Sequence, residues 1–173
     1  MIRLRMLPLA AFATLLQALP TQQQALQLAF PGCAFTRKEF FLTDAQASQV
    51  KALAKADLPG LWYVGYEARK DGRLLGVGFF DTHRVRTEAE TALVAVGADG
   101  TLRRVEVIAF REPQDYAPRK AWVDQFAGKP LDDKLSLKRD IRPLAGATLT
   151  AHALTDAARR GLALWQVFYG GAK

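Results

Sequence analysis

The sequence predicts an α+β domain: an antiparallel sheet of two successive hairpins, packed by a long C-terminal helix and by short helices on the N-terminal side. Three observations carry this reading. Between Leu61 and Phe110, runs rich in branched and aromatic residues alternate with short turns. From about Thr148 to Tyr169, apolar residues recur at helical spacing. Two earlier stretches open with helix-start signals.

In chain order, "TQQQALQLAF" and "LTDAQASQVKALAKADLPG" read as helices. Thr21 with Gln24, and Thr43 with Gln46, have the spacing of a capping box, in which each partner satisfies a backbone N–H of the other. Leu42, Val50 and Leu53 can share a face, and Pro59-Gly60 is expected to stop the second helix. The period then changes. Leu61–Arg69 and Arg73–Asp81 flank the turn "KDG" and read as one hairpin; Thr91–Gly97 and Thr101–Phe110 flank "ADG" and read as another. Leu102, Val105, Val107 and Ala109 largely alternate with charged residues, which predicts one covered and one more open sheet face. Pro118–Phe126 reads as a short helix closed by Gly128, and "LDDKLSLKRDIRP" as a loop or irregular strand. In the last helix, Leu154, Ala157, Ala158, Gly161, Trp165 and Phe168 fall on one side. His152, Thr155, Asp156, Arg159 and Arg160 fall largely on the other. Gly76 and Gly78 sit inside a strand without the third glycine of a dinucleotide loop, so they read as sites of close packing.

The first residues form a separate unit. Arg3 and Arg5 precede an apolar run, Leu7 to Leu19, interrupted by Gln17. Basic residues before a short apolar stretch read as a secretory signal, with an uncleaved membrane anchor as the alternative. Either way the body is expected outside the cytoplasm, periplasmic or otherwise extracytoplasmic. The division is therefore 1–20 signal peptide or anchor, 21–60 helical segment, and 61–173 the main domain.

Composition narrows the function classes. Half of the 173 residues are hydrophobic, enough for one packed core. Lys and Arg number 24 against 17 Asp and Glu, a net charge of +7, but the cations are scattered in pairs such as Arg69-Lys70 and Lys138-Arg139. A nucleic-acid binder gathers them into a stripe with exposed aromatics, so the balance favours an anionic ligand, an acidic partner or a membrane surface. With Cys33 the lone cysteine and His83 and His152 the only histidines, an internal disulfide and a Cys/His metal centre are both excluded. Cys33 reads as a small buried apolar residue. No Ser-His-Asp order or paired-carboxylate pattern points to a hydrolase.

The stretch "GATLTAHALTDAARR", Gly146 to Arg160, places small residues and a threonine at the mouth of the last helix. The first N–H groups of a helix lack internal acceptors and carry partial positive charge, which suits a phosphate. Gly146 and Ala147 allow a bulky ligand near the backbone, and Thr148 adds a hydroxyl. The alternative is Thr148 as an ordinary helix N-cap after a tight turn.

These residues resemble the flavin-attachment signature of the FMN-binding domain family. Its members include the extracytoplasmic flavoprotein subunits of sodium-pumping NADH:quinone reductases and of Rnf-type electron-transfer complexes. "FREPQDYAPRKAWVDQFAGKPL", with Glu112 and Gln125 to Lys129, and "DTHRVRTEAET" are similar to further segments of that family, so the resemblance covers roughly residues 61–165. It implies FMN joined through its phosphate to Thr148 by a flavin transferase acting on FAD, with Gly146, Ala147, Leu149 and Thr150 beside it. Two positions depart from the pattern: Ala145 stands where a Ser or Thr is usual, and Arg142 where an Asp is usual. Non-covalent FMN is the form these departures leave open.

Around such a ring, Glu112 is a candidate edge contact or a surface carboxylate pairing Arg111 or Arg119. Tyr116, Trp122 and Phe126 could wall the flavin or simply pack the core. His83, Arg84 and Arg86 could offset phosphate charge or form a solvated loop. The resemblance implies an electron carrier rather than an enzyme with its own substrate. Its expected partner is a membrane redox protein or a haem or iron–sulfur carrier. The competing reading is a flavin-free binding or scaffold module of a membrane redox complex on the same fold.

Overall fold

The computed structural model describes residues 18–170; the signal or anchor expected at the N-terminus lies, up to residue 17, outside them. The elements run α1 (Gln22–Ala29), β1 (Ala34–Phe41), α2 (Asp44–Ala54), β2 (Trp62–Lys70), β3 (Arg73–Arg84), β4 (Ala89–Gly97), β5 (Leu102–Phe110), α3 (Lys120–Val123) and α4 (Thr148–Tyr169). The sheet is an antiparallel meander in chain order, β1-β2-β3-β4-β5. With α4 laid across it, the architecture is the α+β class expected. No helix of the described residues is long and apolar enough to cross a membrane.

Both capping boxes form, Thr21 with Gln24 and Thr43 with Gln46. α2 ends earlier than Pro59-Gly60 suggests, because Lys55 adopts a left-handed conformation (φ 53°) and closes the helix at Ala54. The segment 21–60 is not wholly helical. Ala34–Phe41 is a fifth strand, paired along its length with β2. It lies at the sheet edge, and only Phe40 in it is buried. The run Arg37-Lys38-Glu39 suits an edge strand, where charge discourages pairing with another chain. The two hairpins are also joined by a third. β3 continues to Arg84 and pairs with β4 from Ala89, which leaves a tip at 85–88.

The sheet is covered on both faces at its centre, which corrects the expectation of one open face. Val94, Val96, Val77 and Phe79 enter the main core with Leu154, Ala158 and Leu162 of α4. Leu93, Ala95 and Ala68 point the other way into a second cluster with Ala25, Leu26, Phe30 and Cys33. β4 is therefore apolar on consecutive residues, as a strand buried on both sides must be. β5 keeps the predicted alternation, with Leu102, Val105 and Val107 buried and Arg103 exposed.

The polar side of α4 also needs correction. Thr155, Arg159 and Arg160 are buried, because α4 is covered by the sheet on one side and by α2 and the 132–135 loop on the other. Arg159 donates to the carbonyls of Ala54, Asp132 and Leu135, tying helix, loop and α2 together. Arg160 reaches into the sheet interface. The helix can bury two guanidinium groups because each one finds acceptors there.

Candidate functional site

A cleft of about 270 Å3 lies at the N-terminal end of α4. It is lined by Gly146 to Thr150 on one side, and by Val85, Arg86, Glu112 and Tyr116 on the others. Gly146 has φ 77°, a left-handed conformation that a glycine adopts without strain, and this turns the chain into the helix. No atom lies within 4 Å of where its Cβ would stand, so the space beside it is open. Ala147 N–H bonds Leu144 O, and the helical ladder starts with Ala151 N–H on Ala147 O. The cap position is thus Ala147, and no side chain caps this helix among the described residues. Thr148 is the first helical residue, not the N-cap, and it is exposed. The N–H groups of Thr148, Leu149 and Thr150 precede the first intrahelical bond.

Thr150 plays a different part from its neighbours. It is buried, and its hydroxyl donates to Tyr116 O at 3.0 Å, which fastens the 114–116 turn against α4. Tyr116 itself stays partly exposed at the cleft, as does Leu149.

The opposite wall is the tip of the β3–β4 hairpin. Glu112 Oε1 accepts three backbone N–H bonds, from Arg86 (3.0 Å), Thr87 (2.7 Å) and Glu88 (2.9 Å). Neither Arg111 nor Arg119 is its partner; the carboxylate holds a loop rather than pairing with a surface cation. The N–H groups of Glu88 and Thr87, then of Arg86, hold its carboxyl below the ordinary glutamate range. Its negative charge is thereby directed to the loop. Arg86 and the α4 terminus supply positive potential to the remaining space. The cleft suits an anion, with apolar surface from Val85 and Leu149 and an aromatic ring from Tyr116 alongside.

Other expected contacts fall elsewhere. His83 does not line the cleft. Strand alternation turns Asp81 and His83 toward α4, and His83 faces Glu90 across the β3–β4 pair. Its Nδ1 bonds Asp81 Oδ1 at 2.8 Å and its Nε2 bonds Glu90 Oε2 at 3.1 Å. Burial opposes the imidazolium, but the hydrogen bonds to Asp81 and Glu90 outweigh it and lift the group to about 9. Burial likewise works against the Asp81 carboxylate, and Arg160 and His83 overcome it, holding the group at about 2. For Glu90 burial prevails over His83 and pushes the carboxyl up.

Arg84 is exposed at the strand end, outside the cleft lining. Phe126 is fully buried core, and Trp122 packs edge-on against it at 5.5 Å. These two do not wall the cleft either. Trp122 Nε1 donates to Arg142 O and Gln125 Oε1 accepts from Arg142 N, both at 2.8 Å, so the α3 region holds the loop that leads to Gly146. The sequence reading missed this support, the lining role of Val85 and the Asp81–His83–Glu90–Arg160 network. The alternation of Asp81 and His83, and two arginines within an otherwise apolar helix, were the available signals for the network.

No family model, curated protein or solved structure matches this chain.

Proposed function

We propose that this chain is an exported FMN-binding electron-transfer protein, with the flavin phosphate at the head of α4 and its attachment at Thr148. One observation carries the reading. Gly146, Ala147, Thr148, Leu149, Thr150, Glu112, Tyr116 and Arg86, drawn from three separated stretches of sequence, line one cleft. The donor set fits the group: free helix N–H groups and Arg86 for a phosphate, with Leu149, Val85 and Tyr116 for a flat apolar ring. A cleft of about 270 Å3 is too small to enclose a whole ligand of this size; it would take the phosphate end, leaving the ring to exposed Tyr116 and Leu149.

Bound flavin supplies reversible electron transfer; the chain holds it in place and shapes its surroundings. Thr148 Oγ would be the nucleophile of attachment: its bond to the FMN phosphorus of FAD would form as the bond to AMP breaks, with the hydroxyl proton passing to the transferase or to water. Gly146 keeps the approach clear, and Arg86 and the helix terminus offset the phosphate charge. Glu112 fixes the hairpin tip that carries Arg86. The partner would be a membrane redox protein or a haem or iron–sulfur carrier.

The test is the intact mass and visible spectrum of protein exported from a host with an active flavin transferase. The expected result is a mass gain of one FMN residue, with flavin absorbance that survives denaturation and disappears in Thr148→Val. Colour without added mass means non-covalent FMN. The second reading, a flavin-free scaffold, is favoured by Ala145, which leaves no hydroxyl three residues before Thr148. It requires neither colour nor added mass while a control protein is flavinylated by the same host.

A further inference from the structure

We propose that the α1-bearing face of the sheet docks on an anionic lipid bilayer, with Phe41 and Trp62 as its interfacial anchor. The large exposed apolar side chains of the described residues divide into two groups. Tyr116 and Leu149 belong to the cleft; Leu19, Leu28, Phe41, Leu61 and Trp62 do not. Phe41 is 67% exposed and Trp62 55% exposed, and their rings stack at 6.3 Å across the β1–β2 pair. By strand alternation both point to the face that carries α1, since Phe40 and Tyr63 point into the main core under α4. Leu61 precedes Trp62 directly. Across the same face, Leu28 stands out from α1 beside Leu19. Two exposed, stacked aromatics held by a rigid sheet form an anchor suited to the headgroup boundary, where Trp is enriched.

The charges complement an anionic surface. The outward residues of α1 are Gln22, Gln23, Gln24 and Gln27, all uncharged. Around them stand Arg37, Arg103, Arg104, Arg119 and Lys120 against the carboxylates Glu39, Asp99, Glu106 and Asp124, which pair or neighbour some of them and leave a small positive excess. A groove of about 470 Å3 runs past Trp62, Tyr66 and Phe80 to Thr82 and Thr91, with Arg37 on its wall. Aromatic floor, guanidinium and hydroxyls together suit a lipid headgroup and the upper acyl chain.

The chain path favours a bilayer over a protein partner. The apolar run Leu7–Leu19 enters the described chain at Ala18, and Ala18 to Pro20 line one groove with Leu28, Arg104 and Lys120 on this same face. Retained as a membrane anchor, the alternative to a cleaved signal, that run would bring this face to the surface. α4 and the main core lie on the other side of the sheet, so the cleft at the head of α4 is left to the aqueous side. The proposal does not depend on flavin, and its test contains none.

The experiment uses the full chain with phosphatidylglycerol vesicles whose acyl chains are brominated near the headgroup. Trp165 is buried and Trp122 is half-buried against Phe126, so Trp62 is the most exposed tryptophan and the one that bromine should quench most. The expected result is quenching of the wild-type emission that Trp62→Phe abolishes and Phe41→Ser weakens. Weaker quenching in high salt and with phosphatidylcholine should follow. Both side chains are on the surface, so circular dichroism should report an unchanged fold. Quenching that is the same in wild type and Trp62→Phe overturns the proposal, because the chain then meets the bilayer by another face. Absence of quenching overturns it too, and dimerisation lost in Phe41→Ser would then assign the patch to a second copy of the chain.

Discussion

Arg160 clasps Asp81 through two parallel hydrogen bonds, Nε to Oδ2 at 2.7 Å and Nη2 to Oδ1 at 2.8 Å, across the interface between α4 and β3. Both side chains are nearly inaccessible, and Asp81 also accepts from His83. The pair fixes the register of α4 on the sheet, and α4 carries the head of the cleft. Removing Arg160 leaves the buried Asp81 carboxylate with His83 alone, and removing Asp81 leaves the buried Arg160 guanidinium without its carboxylate. Arg160→Met should therefore cost about 3–5 kcal/mol. Combining it with Asp81→Leu should cost clearly less than the sum of the two single changes. Urea unfolding of the three variants checks both points, and strict additivity would mean the pair is not coupled.

The same network sets a pH dependence. His83 is raised to about 9 from an ordinary value of 6.5, so the stability it contributes is present below about 6.5 and is lost as the pH rises through 9. Glu90, whose carboxyl is raised, has the same sign, since the folded state holds its proton longer than the unfolded chain does. Asp81 has the opposite sign: lowered to about 2, it contributes above its ordinary value of 3.8 and is lost only as the pH falls through 2. Stability should therefore peak in weak acid and fall by on the order of 2–3 kcal/mol between pH 6 and pH 10. Denaturant midpoints across that range measure it, and His83→Gln should flatten the curve.

Glu112 makes a more local prediction. Its carboxylate is the shared acceptor of the N–H groups of residues 86–88. Glu112→Ala should speed amide exchange at Arg86, Thr87 and Glu88 by roughly tenfold while the amides of β4 keep their protection. On the proposed flavin reading, the same change should also loosen the wall that carries Arg86 and raise flavin mobility, read as lower fluorescence anisotropy. Slow exchange at all three positions would show that the hairpin tip holds itself.

How far the sequence could be read follows the kind of information each element uses. The capping boxes at Thr21 and Thr43 and the start of α4 at Thr148 are local, and all are where the spacing puts them. β1 was hidden because its pattern, Ala34 to Phe41, is that of an edge strand. Only Phe40 is buried, and pairing with β2 decides the conformation. In the cleft, Gly146, Ala147 and Thr148 were legible as small residues and a hydroxyl at a helix start; Leu149, Thr150 and Glu112 were singled out only through the family resemblance. What Glu112 does there was not legible, because its partners are backbone groups more than twenty residues away. His83 was misplaced for a related reason. Its neighbours Arg84 and Arg86 suggest a basic loop, but its environment is fixed by Asp81, Glu90 and Arg160, which only the folded sheet and helix bring together.

Close approach of helix and strand gives the last prediction. Gly161 lies where α4 crosses β4, and a methyl group there would stand 2.8 Å from Val94 Cβ, with Val94 Cγ1 nearer still. On an exposed helix, alanine would be favoured over glycine by about 1 kcal/mol. Here the overlap with a buried strand residue should reverse the sign. Gly161→Ala should be destabilising by about 1–3 kcal/mol, because α4 must lift from the sheet or Val94 must leave its rotamer. Val94→Ala alone opens a cavity and should also destabilise. In the double variant the new methyl occupies part of the space that Val94 vacates. Its loss should fall well short of the sum, with a coupling of about 1 kcal/mol or more in urea unfolding. A wild-type-like Gly161→Ala would mean that α4 rides above the sheet at a greater distance than the one described.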